Sequence, residues 1–499
     1  MDFIPEIVLL LKTFQPKKIE IIGNNKISDT KINLFFQYVK DGEIKTDEEA
    51  MMHLYGNNKE SKKNYNKLKS RLKEKLINAT FFLDLNSTKH TDIQKSYYQC
   101  HKNWASTKIL FGRGVKGSAV ILAEKTIKKA VKFEFTEIVI NLSRTLRLHF
   151  ATMEGNKKKF NHYNNLLSEY MPILQAELKA EEYYEKLLIH FANSKATKSE
   201  LAATAKIYSQ DLKQYKNTKS YNYLLNSHTV FVLRYEIIND HHSVIRECAK
   251  ALIELKAKPF SLKNQLFGFL IKQFSCYLKL GQYEEAKALV VECRDTLTEG
   301  TGNWFVFNHL YFCLLTYTKD YHLIDQNVSR VIAHPQLKFK NNRTKETWKI
   351  IQAYTVFLYE ARKIDSIEKQ SNFKIGRYLN EVPKFSKDKR GANIHILITQ
   401  ILIALARKKY NFIIDKTAAL SRYTSRYLKK DETYRSNCFI QILINLPRGN
   451  FHKDSFQFYA KKYIKKLQEA PLSSARQSSE FEFIPYEVLL EYVVELCKE

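Results

Sequence analysis

The sequence predicts an all-α fold, and three observations carry that expectation. Only 9 prolines and 14 glycines punctuate 499 residues, and no proline lies between Pro16 and Pro172. Sandwiches and barrels need turn residues far more often. Apolar residues recur at spacings of three and four along most of the chain. A short turn signal returns at intervals of about 40 residues. Hydrophobic residues at 44% and charged residues at 27% supply a core and a solvated surface.

The N-terminal stretch MDFIPEIVLLLKTFQPKK holds a short apolar run. It lacks the basic start and small-residue cleavage site of a signal peptide, and it is too short to span a bilayer. Residues 26–86 read as a small helical unit, within a basic N-terminal segment taken as 1–88. Ser28 can cap a helix that stops at Gly42. Thr46 and Glu49 have the spacing of a capping box for a second helix, which Gly56 ends. A third helix is expected over about 61–85, with Tyr65, Leu68, Leu72, Leu76 and Ala79 on one face. Short, short, long is compatible with a helix-turn-helix-like unit and equally with any three-helix cap.

From about residue 89 to 470 the pattern becomes one of long helices in succession. In YLKLGQYEEAKALVVEC (277–293) an apolar helix end meets a turn at Gly281, and Tyr283 and Ala286 open the next helix. This stretch resembles the loop between the two helices of a tetratricopeptide repeat, although the full consensus is not met. The resemblance is to that superfamily of helical repeats and to no single member. It implies an α-solenoid, a right-handed array of antiparallel helical hairpins. The same turn signal places Tyr321, Ile364, Tyr410 and Phe451 where Tyr283 stands, and upstream it offers His242 and Phe160. A degenerate turn is expected near residue 201. Residues 471–499 read as a linker, APLSSARQSSEFE, followed by an amphipathic helix that closes the array.

FGRGVKGSAVILAEK (111–125) contains Gly112-x-Gly114-x-x-Gly117, a spacing that cradles phosphates in dinucleotide folds and kinase loops. One repeat interval before Phe160 falls on Lys116, inside this stretch. A dinucleotide loop must follow a strand and open a helix, and the preceding YYQCHKNWASTKIL reads as helix. No kinase signature follows. The three glycines are therefore expected to mark a turn with close helix packing, and no cofactor is expected.

Other chemistry is sparse. The seven cysteines include no C-x-x-C pair and sit among apolar neighbours, which fits buried thiols in a reducing, cytoplasmic setting. H-E-x-x-H, G-x-S-x-G and the phosphate-loop motif do not occur. His241 and His242 read as a solvated turn, His190 and His395 as core histidines. Glu181, Glu182 and Glu185 read as an ion-paired helix face. The chain is thus expected not to be an enzyme.

The formal net charge is +29, from 81 basic residues of which 18 are arginines. A lysine excess of this kind solubilises helix surfaces, whereas bidentate phosphate recognition favours arginine. The densest cluster is KESKKNYNKLKSRLKEK (59–75), and Lys62, Lys63, Lys67, Lys69, Arg71 and Lys73 are its candidate nucleic-acid contacts. A second cluster, RYTSRYLKKDETYR (422–435), interleaves Arg422, Arg426 and Arg435 with tyrosines, a pattern that suits single strands. The function expected is a non-enzymatic scaffold or adaptor that takes a protein or peptide in a groove, with no membrane role. A nucleic-acid-binding regulatory or defence-type component, using the basic helix, is the alternative.

Overall fold

The computed structural model of the protein describes residues 31–56, 61–81, 91–193, 198–364, 373–380, 392–427, 434–470 and 482–499, with the single positions 4, 8 and 472. Among them every regular element is helical, apart from one isolated β-bridge between His452 and Lys498. No helix among the described residues is long and apolar enough to cross a membrane. Contacts divide the chain into two units, Met1–Leu174 with Pro259–Ser261, and Gln175–Lys258 with Leu262–Glu499.

The first unit opens with α1 (Lys31–Asp41), α2 (Asp47–Tyr55) and α3 (Ser61–Thr80). The capping box is formed: Glu49 N–H donates to Thr46 Oγ1 at 3.1 Å, and Thr46 N–H donates back to the Glu49 carboxylate at 3.1 Å. Ser28, the expected first cap, lies outside the described residues. Tyr65, Leu68, Leu72, Leu76 and Ala79 are buried together with Phe35, Val39 and Leu54, so the apolar stripe of α3 is what seats α1 and α2. Next come α4 (Asp92–Gly112), α5 (Lys116–Lys132) and α6 (Thr136–Thr152), with α5 packed on both of the others and α4 also touching α6. The helix α7 (Lys157–Asn193), which holds Pro172, contributes residues to both units.

The second unit continues with α8 (Lys198–Asp211), a 3₁₀ turn (Leu212–Tyr215), α9 (Tyr221–Ile237), α10 (His241–Lys256), α11 (Lys263–Leu280) and α12 (Tyr283–Thr296). Then follow α13 (Gly302–Tyr317), α14 (Ile324–Ala333), α15 (Asn342–Glu360), α16 (Ile375–Asn380), α17 (Ala392–Ala406), α18 (Tyr410–Tyr427), α19 (Tyr434–Ile444), α20 (Lys453–Gln468) and α21 (Tyr486–Leu496). Most helices touch the next in sequence. In addition α11 touches α13, α13 touches α15, α15 touches α17, and α17 touches α19. This second set of contacts makes alternate helices an inner layer. It explains why α17 is apolar on nearly every side, with Ile394, Ile398, Ile401, Leu402, Ile403 and Leu405 all buried.

One turn geometry recurs. Gly281 is left-handed at φ 71°, its N–H donates to Leu278 O, and Gln282 N–H donates to Tyr277 O at 2.9 Å. This is the Schellman ending, which satisfies two orphan carbonyls before the next helix starts two residues on. The same paired bonds close α4 at Gly114, α5 at Glu134, α9 at Asn239, α15 at Arg362 and α17 at Lys408. At Lys319, after α13, the same left-handed residue recurs at φ 58°, with Asp320 N–H donating to Leu315 O. Tyr283, Tyr321, Tyr410 and Lys116 each stand two residues past the left-handed position, as does Ile364. The turn anchored on His242 begins one residue earlier, at His241. Phe160 lies inside α7, whose turn is at Gly155 (φ 58°). The turn expected near 201 falls between α7 and α8, on residues 194–197, which lie outside the described residues; Leu201 itself is inside α8.

A left-handed conformation costs an L-residue with a Cβ about 1–2 kcal/mol. Lys408→Gly is expected to stabilise the protein by about 0.5–1 kcal/mol after the entropy that glycine adds to the unfolded chain. Gly281→Ala is expected to cost about 1 kcal/mol. Urea denaturation of both variants checks the pair, and equal stabilities would show that the turns carry no conformational cost. The glycines of FGRGVKG serve this turn through Gly114 alone, at φ 79°. A Cβ at Gly112, Gly114 or Gly117 would meet nothing within 4 Å, so the expected close packing does not occur there. It occurs at Gly449, where a Cβ would come within 2.6 Å of the Phe456 backbone nitrogen.

Candidate functional site

The basic helix α3 is built so that burial of its apolar stripe turns its lysines outward. Lys62, Lys63, Lys67 and Arg71 are exposed and have no ion-pair partner among the described residues. Lys69 differs. Its ammonium donates to both oxygens of Asp47, at 2.8 and 2.9 Å, beside a hydrogen bond of 2.5 Å from Tyr65 Oη. Burial tends to raise the Asp47 carboxyl, but those two donors outweigh it and hold it at about 2. Lys69 therefore ties α3 to the start of α2, where the Asp47 carboxylate also suits the positive helix terminus. Lys73 is half-buried. Arg71 borders an open cavity of about 480 Å³ whose other basic walls are Lys31 and Lys75.

Of the arginines in the second basic cluster, only Arg435 has a described side chain. Arg422 and Arg426 lie in α18, and their side chains are outside what is described. Arg435 is buried and committed elsewhere. Its Nε donates to Glu482 Oε1 at 2.5 Å and its Nη2 to Glu482 Oε2 at 3.1 Å, a bidentate pair. Nη2 also reaches Glu487 at 2.8 Å, and Nη1 donates to the carbonyls of Leu467 and Ala470. Arg435 is an internal clamp, not a nucleic-acid contact.

That clamp holds the C-terminal segment, which was expected to follow a linker and close the array. Glu482, read as linker, is buried, and Phe483 is inserted into the inner layer. The Phe483 ring lies 5.0 Å from His309 of α13, 5.5 Å from Tyr354 of α15 and 4.7 Å from His395 of α17. Thr316 Oγ1 donates to Phe483 O at 2.6 Å, and Tyr317 Oη donates to Glu482 O at 2.7 Å. Tyr486 stacks on Phe439 of α19 at 4.6 Å.

Beyond Phe483 the segment meets successive turns. Lys319 pairs with Glu491 at 3.1 Å, and Tyr321 meets Tyr492 through their hydroxyls. Lys363 pairs with Glu495 at 2.6 Å. Lys498 lies 4.5 Å over the Tyr410 ring, and its N–H donates to Phe451 O at 2.7 Å. Steps of three or four residues in the segment thus match steps of about 40 in the repeat. Turn residues proposed from sequence as structural markers form one edge that receives this helix. Tyr283 packs edge-on to Tyr317 at 6.0 Å, and Ala286 is fully buried, so both hold their own turn.

Two histidines under the segment are enclosed. Burial lowers the His309 imidazole to about 4, and burial with the neighbouring His309 lowers His395 to about 3. His395 Nδ1 is 3.0 Å from Tyr354 Oη, as expected of a satisfied core histidine. His309 Nε2 has no hydrogen-bond partner among the described residues. His190 has no described side chain. His241 is buried against Cys276, its Nδ1 3.8 Å from the sulfur, so only His242 is solvated. Six cysteines are buried and Cys497 is half-buried, all as free thiols. Glu182 pairs with Lys179 and Lys186, at 3.1 and 2.5 Å, as the ion-paired face requires. Sequence reasoning missed the Arg435–Glu482 pair because its partners are 47 residues apart. The available signal was the alternation of acids and aromatics in EFEF (480–483), which a linker does not need. Compared with known proteins, the chain matches no family model, no curated protein and no solved structure.

Proposed function

We propose that the protein is a non-enzymatic helical-repeat scaffold whose inner layer and turn edge take a peptide or protein segment. The observation that carries this reading is the seat of its own C-terminal segment. Residues 482–499 present one inserted aromatic, a bidentate ion pair and regularly spaced side chains to successive helices. Such an arrangement is how repeat arrays engage extended or helical ligands. The finer architecture in this reading is a right-handed array of antiparallel hairpins. Recurrent Schellman turns and contacts between alternate helices support it.

The full-length variant Phe483→Ala/Tyr486→Ala should loosen the segment's own hold. A labelled peptide of residues 482–499 is then expected to bind the variant at micromolar concentrations and the wild-type chain at least about tenfold more weakly, because the tethered copy competes. Equal failure of both, measured by fluorescence anisotropy with both proteins folded by circular dichroism, would sink the scaffold reading.

A second reading is favoured by the exposed cations of α3. Lys62, Lys67 and Arg71 face solvent while Lys69 is half-buried and paired with Asp47. If this helix lies on a phosphate backbone, Lys62→Glu/Lys67→Glu/Arg71→Glu should lower the salt dependence of oligonucleotide binding by a slope of about 2–3. Wild-type and variant curves that coincide would leave these lysines as a solvated face.

A further inference from the structure

Beside the turn between α8 and α9 the second unit holds a cavity of about 460 Å³. Its lining carries five cationic side chains, Lys213, Lys216, Lys219, Arg234 and Lys250, against two acids, Glu247 and Glu254. The acids are already answered. Glu247 pairs with Lys250 at 2.8 Å and Glu254 with Lys219 at 3.4 Å. Lys213, Lys216 and Arg234 are left with no acidic partner among the described residues. The Arg234 guanidinium is half-buried and lies 5.0 Å over the Tyr235 ring, which fixes its plane. His228, only 6% exposed, also lines the wall; its Nε2 lies 3.9 Å from Glu254 Oε2, and its enclosed Nδ1 has no hydrogen-bond partner among the described residues. An unanswered polar nitrogen at that depth costs stability unless a ligand or water completes it. The remaining wall is apolar and aromatic, from Leu212, Tyr223, Leu224 and Phe231.

We propose that this cavity is a binding site for a small organic phosphate that carries a planar ring, a ligand of mononucleotide size. The three unanswered cations would receive the phosphate oxygens, and Tyr223 and Phe231 the ring. The volume lies within the range of small-molecule sites, which combine an apolar wall with a few convergent polar groups. Guanidinium with ammonium is the donor set that suits a phosphate dianion. A segment of another protein is a poorer occupant, because the lining is confined to one turn and the neighbouring helices α8, α9 and α10, and its volume is that of a small-molecule site. The site is separate from the edge that receives the C-terminal helix, and it does not rest on the scaffold reading.

The test is calorimetric titration of the full chain with adenosine 5′-monophosphate, adenosine and inorganic phosphate. The monophosphate is expected to bind at micromolar concentrations, and the other two at least about tenfold more weakly. Lys216→Gln/Arg234→Gln should weaken the monophosphate at least about tenfold with an unchanged melting temperature. Lys461→Gln/Lys462→Gln, which removes the same charge from exposed sites on α20, should leave its affinity as it is. Absence of monophosphate binding overturns the assignment. So does binding no tighter than that of adenosine or phosphate, or an equal loss in both double variants, the mark of general attraction to a basic protein.

Discussion

Arg435→Leu is expected to destabilise the protein by about 3–5 kcal/mol, the cost of leaving a buried charge without its partner. The guanidinium is 5% exposed and the Glu482 carboxylate 8% exposed, so solvent does not take over when the pair is broken. Removing Arg435 also abandons the Leu467 and Ala470 carbonyls at the end of α20 and one contact to Glu487. Glu482 has a second task, since its Oε2 accepts from the Tyr486 N–H at 2.9 Å and so begins α21. Chemical denaturation of Arg435→Leu, Glu482→Leu and the double variant measures the coupling. The double variant should be less damaged than the sum of the singles, because it strands neither charge. A loss below about 1 kcal/mol in Arg435→Leu would mean that the pair is not desolvated. Limited proteolysis gives an independent reading, and cleavage near residue 482 should accelerate in the single variants.

Acid is expected to release the same segment. His309 and His395 are neutral in the folded protein, held at about 4 and about 3, while an unfolded histidine titrates near 6.5. A depressed folded value means that the stabilising contribution is complete above about pH 6.5 and is lost as the pH falls toward 4. At pH 4.5 each histidine should have withdrawn about 2–3 kcal/mol, from about 1.4 kcal/mol per unit of pH below the unfolded value. Glu482, raised by burial against the pull of Arg435, acts in the opposite sense and offsets part of that loss. Asp47, held at about 2, adds a loss only below about pH 3.8. Melting temperatures between pH 7.5 and 4.5 check the slope. His309→Phe/His395→Phe should flatten it, and an unchanged slope in that variant would place the acid sensitivity elsewhere.

Much of this molecule was legible because its signals are local. The Thr46–Glu49 box and the Tyr65–Ala79 stripe need only a helix period and a cap rule, and Gly281 announces its own left-handed turn. Glu134, Lys319, Arg362 and Lys408 adopt the same conformation with side chains that give no warning. The turns at Lys319, Arg362 and Lys408 were found only through the residue two positions later, the turn at Glu134 was not found, and at His242 and Phe160 the register slipped. The candidate sites were less legible for a related reason. A run of basic residues does not reveal that Lys69 answers Asp47 or that Arg435 answers Glu482. Those pairings depend on packing between segments far apart in sequence. The cavity by Lys216 and Arg234 was hidden in the same way, because its cations come from a turn and from the two helices that follow it.

In a stack where every helix touches only its neighbours, heat melts the ends first and the transition broadens. The C-terminal segment 482–499 touches parts of the second unit that begin at α13 and end at α20, so opening any of them costs contacts shared with the others. Melting of the described helices from α13 to α21 is thereby expected as one event, with residues 482–499 setting the sharpness of that transition as well as its midpoint.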